Sequence, residues 1–261
     1  MKEAGKGRRF IAMTIRQFLR TFAVGFLCLL PANAQDPVKG APFTPSKDMK
    51  GPWAFQPDPK LPDVLILGDS ISIGYTLETR KLLKGKANVF RPLRKDGKGP
   101  DNCGDTPMGL ENLDKWLGDR KWAVIHFNWG LWDLCYRHPD SKATGKRDKV
   151  KGTLSTKPED YEKNLEKLVA RLKATRAKLI WASTTLVPEG EVGRFVGDDA
   201  KYNAIARKVM ERHNIPINDL HAVTKAFPAD HFLGPGDVHF TSAASAKLAA
   251  RVAEEIGKAL P

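Results

Sequence analysis

From residue 62 onward, short apolar runs alternate with longer segments whose apolar positions recur at helical spacing. Asp63-Val-Leu-Ile-Leu67 is nearly continuous in apolar character and stops at Gly68, the pattern of a strand buried on both faces. Similar runs lie at Ala87–Phe90, Trp122–Phe127 and Ala177–Ala182, with a weaker one at Ile215–Ile217. Between them, Leu77–Leu83 and Leu110–Leu117 predict short helices. Lys157–Thr175 predicts a long helix with Tyr161, Leu165, Leu168, Val169 and Leu172 on one face and Pro158 tolerated near its start. Residues 199–213 and 242–259 complete the set, the last turning Ala244, Leu248, Val252 and Ile256 to one side. Strands alternating with helices predict a three-layer α/β/α sandwich around a mostly parallel sheet. In such a fold, ligands gather beyond the carboxyl ends of the strands.

The first 34 residues read differently. Basic residues from Lys2 to Arg20 lead into the apolar run 21–30, then Pro31 and Ala32-Asn33-Ala34. This order of basic, apolar and small residues predicts a secretory signal peptide cut after Ala34. The run is short for a bilayer span, so no stable membrane insertion is expected. Removing the leader lowers the formal net charge from the +13 of the whole chain to about +8, since the leader itself is basic. An exported protein, periplasmic or extracellular, without a recognisable nucleic-acid motif is not expected to bind nucleic acid. The remaining chain is long enough for one substantial core, predicted over 62–261. Residues 35–61, rich in Pro, Gly and Lys, predict an extended arm. Cys103 and Cys135 could pair in an oxidising compartment or stay free and buried, and they match no zinc-ligand spacing. The connection 136–157 is long and rich in Lys and Arg, as a lid or substrate-contact loop would be.

Candidate chemistry collects at the predicted strand ends. Gly68-Asp69-Ser70 follows the first strand and offers an exposed hydroxyl with a backbone N–H beside it. A serine needs a base within reach and a group to orient that base, and His239 in Gly236-Asp237-Val238-His239 can be that base if the fold joins the two ends of the chain. Asn102-Cys103-Gly104-Asp105-Thr106 follows the second strand, and Asn128-Trp129-Gly130-Leu131-Trp132-Asp133 the third. A glycine N–H in either could steady negative charge on an acyl oxygen. Asp69, Asn102, Asn128, Gly130, Trp132 and Asp133 are candidate substrate contacts. Trp129, Tyr136, Trp181, Thr184, Thr185 and Glu189 are candidates for the same rim.

In this order the motifs resemble those of the SGNH hydrolases, the GDSL-type esterase and lipase family, and in particular its exported members that act on acylated sugars. The similarity in motif order runs from residue 63 to about 257 and implies the SGNH-hydrolase, flavodoxin-like type of sandwich. It implies Ser70 as nucleophile and oxyanion donor, Gly104 as a second donor and His239 as base. Two positions depart from the family pattern. Trp132 stands where Gly-x-Asn-Asp has its asparagine, for which Asn128 or Asn102 could compensate. Gly236 stands where the catalytic aspartate is usual, three residues before the histidine. Asp237, two before it, can still reach the ring in an extended stretch because residues two apart point the same way; Asp230 is a remoter candidate. The resemblance implies hydrolysis of carboxylic esters, acetyl esters of a carbohydrate above all, through an acyl-enzyme and without cofactor or metal. The basic loop suggests an anionic polysaccharide as a possible partner. A lipase or lysophospholipase, an acyltransferase, and a carbohydrate-binding protein with weak catalysis are the rival readings. No phosphate-cradling glycine motif follows the first strand, which argues against a nucleotide site.

Overall fold

The computed structural model describes Phe43, residues 51–140 and residues 146–261. The predicted leader, most of residues 35–50 and the middle of the basic loop lie outside the described residues. In chain order the elements are β1 (Asp63–Leu67), α1 (Ser70–Leu82), β2 (Asn88–Phe90), α2 (Thr106–Leu117), β3 (Val124–Phe127), β4 (Tyr136–Arg137) and β5 (Thr153–Leu154). They continue with α3 (Pro158–Ala174), β6 (Lys178–Ala182), α4 (Asp198–Arg212), β7 (Ile217–Asn218), α5 (Leu220–Lys225) and α6 (Ser242–Ala259).

Five strands form one sheet in the order β2-β1-β3-β6-β7, and every pairing in it is parallel. The chain leaves β1 for β2 on one side and returns to β3 on the other. The carboxyl ends of β1 and β3 therefore flank the switch in winding direction, where a crevice opens in folds of this kind. Helices α1 and α6 pack together, and α2, α3 and α4 form a row, so helices cover both faces of the sheet. Val64, Leu65, Ile66 and Leu67 are wholly buried, as the continuous apolar run requires. On α6 the stripe Ala244, Leu248, Val252 and Ile256 is also wholly buried. Each large apolar side chain there contributes about 1.5–3 kcal/mol by leaving water.

Helix α1 begins seven residues before the apolar pattern at Leu77 suggests. Its buried side chains include Ser72, Thr76 and Thr79, whose hydroxyls donate to carbonyls within the helix turn or one turn earlier. Satisfied in this way, they pack like small apolar residues. Residues 51–61 of the predicted arm run beside β2 and α1. Asp58 N–H donates to Asn88 Oδ1 (2.9 Å), the Asn88 amide returns a bond to Asp58 O (2.8 Å), and Arg80 donates to Pro52 O (2.7 Å). The basic connection contributes a small antiparallel pair, β4 with β5. Cys103 and Cys135 are both buried and unpaired. No described helix is long and apolar enough to cross a membrane.

Candidate active site

Ser70 is the first residue of α1, and Asp69 is its cap. The Asp69 carboxylate accepts from Ile71 N–H (3.0 Å), which satisfies one of the donors a helix start leaves open. Among the described residues nothing accepts from Ser70 N–H. Gly68 gives the turn its sharpness: at φ +154° a side chain there would meet the Ser72 hydroxyl at 2.8 Å. Beneath the turn lies Arg91, 2% exposed. Its guanidinium donates to Ser72 Oγ (2.6 Å) and Asp101 O (3.0 Å), and also to the carbonyls of Gly68 and Asp69. Burial pulls its pKa below the ordinary guanidinium value, and carbonyl oxygens occupy its donors in place of a carboxylate.

The other end of the chain closes on this turn. The Ser70 hydroxyl lies 2.8 Å from His239 Nε2, and His239 Nδ1 lies 2.6 Å from Asp237 Oδ1. Asp237 Oδ1 also accepts from the His239 backbone N–H (2.9 Å). With the ring proton on Nδ1, donated to the carboxylate, Nε2 is left to accept from the serine. Burial would raise the Asp237 carboxyl. The bonds from His239 N–H and its ring, with the charge of Arg147, outweigh that and hold it below the usual carboxylate range.

Gly236, at the family's usual acid position, has φ +70°, and a Cβ there would sit 2.4 Å from Gly190 O. Close packing against that carbonyl leaves room for glycine only, and the carboxylate beside the ring comes from the next residue. Asp230 is exposed and pairs with His231 (3.0 Å), away from the His239 ring.

A cavity of about 280 Å³ opens beside Ser70 and His239, with Asp69, Asn102 and Trp132 on its walls together with Arg137, Arg147 and Arg194. Burial drives the Asp69 carboxyl upward, against the pull of Ile71 N–H and of Arg194 and Arg91. Trp132 carries the Arg137 guanidinium over its ring, 4.6 Å from the centroid. Asn102 Oδ1 accepts the Gly104 N–H (3.0 Å), so that N–H is already committed to the loop itself. This differs from the expectation that Gly104 faces the acyl oxygen. Asn102 lines the cavity, and among the described residues its amide N–H₂ has no acceptor.

Several other sequence-derived contacts serve packing instead. Asn128 donates to Ala182 O (2.7 Å) and is tied between β3 and β6. A side chain at Gly130 would collide with Thr184 Oγ1 at 1.9 Å, so this glycine marks a close approach of two loops. Asp133 is wholly buried and accepts from Thr106 N–H (2.9 Å) and Oγ1 (2.6 Å), joining the loop after β3 to the start of α2. Burial pushes its pKa to about 7, against the Thr106 bonds that favour the anion. Trp129 and Trp181 are wholly buried core residues. Thr184 and Thr185 are buried as well, whereas Glu189 is exposed.

Arg194 and its partner Glu191 were not anticipated from sequence. Glu191 is wholly buried and accepts from Arg147 (2.8 Å) and Arg194 (3.0 Å). The only local signal is a charged pair set close to Gly190 and Gly193. Among the described residues, no cluster of three or more His, Cys, Asp or Glu side chains could hold a metal ion.

Residues 66–247 match the sequence profile of the GDSL-like lipase/acylhydrolase family. No curated protein sequence matches the chain. Solved structures share the fold at low identity. A lipase/acylhydrolase from Enterococcus faecalis is 20% identical, with 77% of this chain and 97% of that one covered and a TM-score of 0.59. The acetyl xylan esterase AlAXEase is 15% identical, with 74% and 99% covered and a TM-score of 0.57. A variant of an acetyl xylan esterase from Geobacillus stearothermophilus is 17% identical, with 75% and 94% covered and a TM-score of 0.56.

Proposed function

Because the chain belongs to the GDSL-like lipase/acylhydrolase family and is a serine hydrolase of ester bonds, we propose that it removes short acyl groups, acetyl above all, from a carbohydrate by a Ser70-His239-Asp237 mechanism. One observation carries the reading: the line from Ser70 Oγ through the His239 ring to Asp237, at 2.8 Å and 2.6 Å, beside a small cavity that Arg137, Arg147 and Arg194 help to line. His239 Nε2 takes the Ser70 proton as Oγ attacks the ester carbonyl. Asp237 steadies the imidazolium that forms and keeps the ring in the needed tautomer. The tetrahedral oxyanion is met by the Ser70 N–H and by the Asn102 amide, which takes the part of the family's asparagine. The protonated His239 gives its proton to the departing alcohol oxygen. Water, deprotonated by the same nitrogen, then attacks the acyl-enzyme, which collapses to carboxylic acid and free Ser70.

The acyl preference follows from the cavity. At about 280 Å³ and with three guanidinium groups near Ser70, it suits an acetyl group on a polar scaffold better than a fatty chain. Two of the similar structures are described as acetyl xylan esterases. Residues 1–34 would deliver the enzyme outside the cytoplasm, to an acylated sugar in the periplasm or medium, with the 62–261 domain carrying the chemistry. The test is a rate comparison over aryl esters of rising acyl length and acetylated xylo-oligosaccharides, with Ser70→Ala beside the unaltered chain. Acetyl esters should be cleaved fastest. The alanine variant should lose activity by on the order of a million-fold while unfolding at the same denaturant midpoint. A preference for long-chain esters would replace this reading with a lipase. Undiminished turnover by the variant would remove Ser70 from the chemistry.

A further inference from the structure

Three guanidinium groups converge on the cavity beside Ser70 and His239. Arg137 comes from β4, Arg147 from the bridge that pairs with it, and Arg194 from the loop between β6 and α4. One carboxylate anchors two of them: buried Glu191 accepts from Arg147 Nη1 (2.8 Å), Arg194 Nη1 (3.0 Å) and Gly193 N–H (2.6 Å). Arg194 is 4% exposed, and its Nε donates to Leu131 O at 2.6 Å. Arg137 rests on the Trp132 ring and has no carboxylate within ion-pair distance among the described residues. The positive charge at this wall therefore exceeds what Glu191 offsets. Of the other nearby carboxyl groups, Asp237 is engaged by His239, and Asp69, which burial drives toward its neutral form, accepts from Ile71 N–H.

Arg147 and Arg194 share Glu191, and buried Arg91 fills its donors with carbonyl oxygens, but half-buried Arg137 has neither a carboxylate nor a carbonyl partner among the described residues, and a cation partly withdrawn from water without a partner is costly. The cluster is also held in advance of any ligand. A side chain at Gly193 would meet Arg147 Cβ at 2.5 Å, and Lys149 Nζ donates to Glu191 O at 2.6 Å. Tyr136 N–H donates to Gly193 O at 2.7 Å, so the basic connection is fastened to the loop that carries Arg194. Groups fixed in this way lose little conformational freedom on binding.

We infer that the esters cleaved at this site carry an oxyanion group, a carboxylate or a sulfate, on the sugar beside the scissile ester, and that Arg137, Arg147 and Arg194 hold it. The inference rests on the ester-hydrolase reading of the same cavity. Guanidinium forks suit both groups, since each offers two oxygens to parallel N–H donors. If the arginines served instead to steady the tetrahedral intermediate, they would speed every ester alike and give no preference for charge.

The experiment measures kcat/KM of the full chain on three matched acetylated oligosaccharides: one neutral, one bearing a uronic carboxylate and one bearing a sulfate. The same series is run on Arg137→Gln, chosen because Arg137 holds no buried carboxylate, with its unfolding midpoint as a check on folding. At least one anionic substrate should be preferred by roughly 10- to 100-fold, mainly through KM, and the better of the two arms identifies the oxyanion. The preference should shrink as salt is raised to about 0.5 M. In Arg137→Gln the anionic-to-neutral ratio should fall by about tenfold. Equal rates on all three substrates, or an unchanged ratio in the variant, would overturn the inference and leave the esterase reading standing. Failure of the unaltered chain to cleave any ester, a simple aryl acetate included, would take down that reading and this inference with it.

Discussion

Gly236→Ala tests why the acid beside His239 comes from Asp237. The left-handed φ of +70° costs a residue with a Cβ about 1–2 kcal/mol. The added carbon would lie 2.4 Å from Gly190 O, 2.6 Å from its carbonyl carbon and 3.0 Å from Glu191 N. Backbone on all three contacts cannot rotate away, and overpacking of this kind costs about 1–3 kcal/mol. Alanine also narrows the unfolded ensemble, which returns about 0.4–1 kcal/mol. The net loss is about 1–5 kcal/mol, a substantial part of the roughly 5–15 kcal/mol that holds a domain together. Gly85→Ala separates the two causes, since Gly85 has φ +76° and open space where its Cβ would go. The assay is denaturant unfolding followed by tryptophan fluorescence, with kcat on an aryl acetate measured in the same preparations. Gly236→Ala should lose about 1–3 kcal/mol more than Gly85→Ala. It should also lose activity, because relief of the clash moves either Asp237 or the loop bearing Glu191. Equal losses in the two variants, with kcat unchanged, would refute the packing argument.

Asn102→Asp keeps the oxygen that accepts Gly104 N–H and deletes the amide donor. It should lower kcat by about 10²–10³ with little change in unfolding midpoint, and a kcat within threefold of the unaltered enzyme would exclude Asn102 from the oxyanion site. Asp133→Asn addresses pH. The folded protein holds the Asp133 proton up to about pH 7, whereas the unfolded chain sheds it near 3.8. Between those values the folded state binds more protons, so this group lowers stability as pH rises through the window and adds no further loss above it. The stability difference between the unaltered chain and Asp133→Asn should fall by up to about 4 kcal/mol from pH 4 to pH 8. A pH-independent difference in denaturant midpoints would show that burial does not hold the proton.

Strand positions were legible because a parallel sheet covered on both faces needs continuous apolar runs, and 63–67 and 178–182 are such runs. The beginning of α1 was not, because Ser72, Thr76 and Thr79 look solvent-facing until their hydroxyls are paired within the helix. Helix α5, only six residues long, shows too little periodicity to stand out. At the site, Ser70, Asp237 and His239 could be singled out from motif order and from the two-residue period of an extended stretch. The geometry around them could not. Asn102 and Gly104 look equally available in sequence, and only the loop's conformation turns the Gly104 N–H onto Asn102. The pairing of Arg147 with Glu191 spans 44 residues and leaves no periodic trace. Asn128 and Asp133 resemble substrate contacts because polar residues at a strand end serve loop anchoring and ligand binding equally well.

Arg91 links two loops that otherwise have separate tasks. Its guanidinium draws on the carbonyls behind the serine and on Asp101, the neighbour of Asn102. The span between the Ser70 hydroxyl and the Asn102 amide is therefore gauged from below, by a buried cation that lies outside the cavity lining. A displacement of either loop must first break bonds to that cation. Part of the rigidity at the mouth of the cavity thus originates just past the end of β2, behind the turn that bears Ser70.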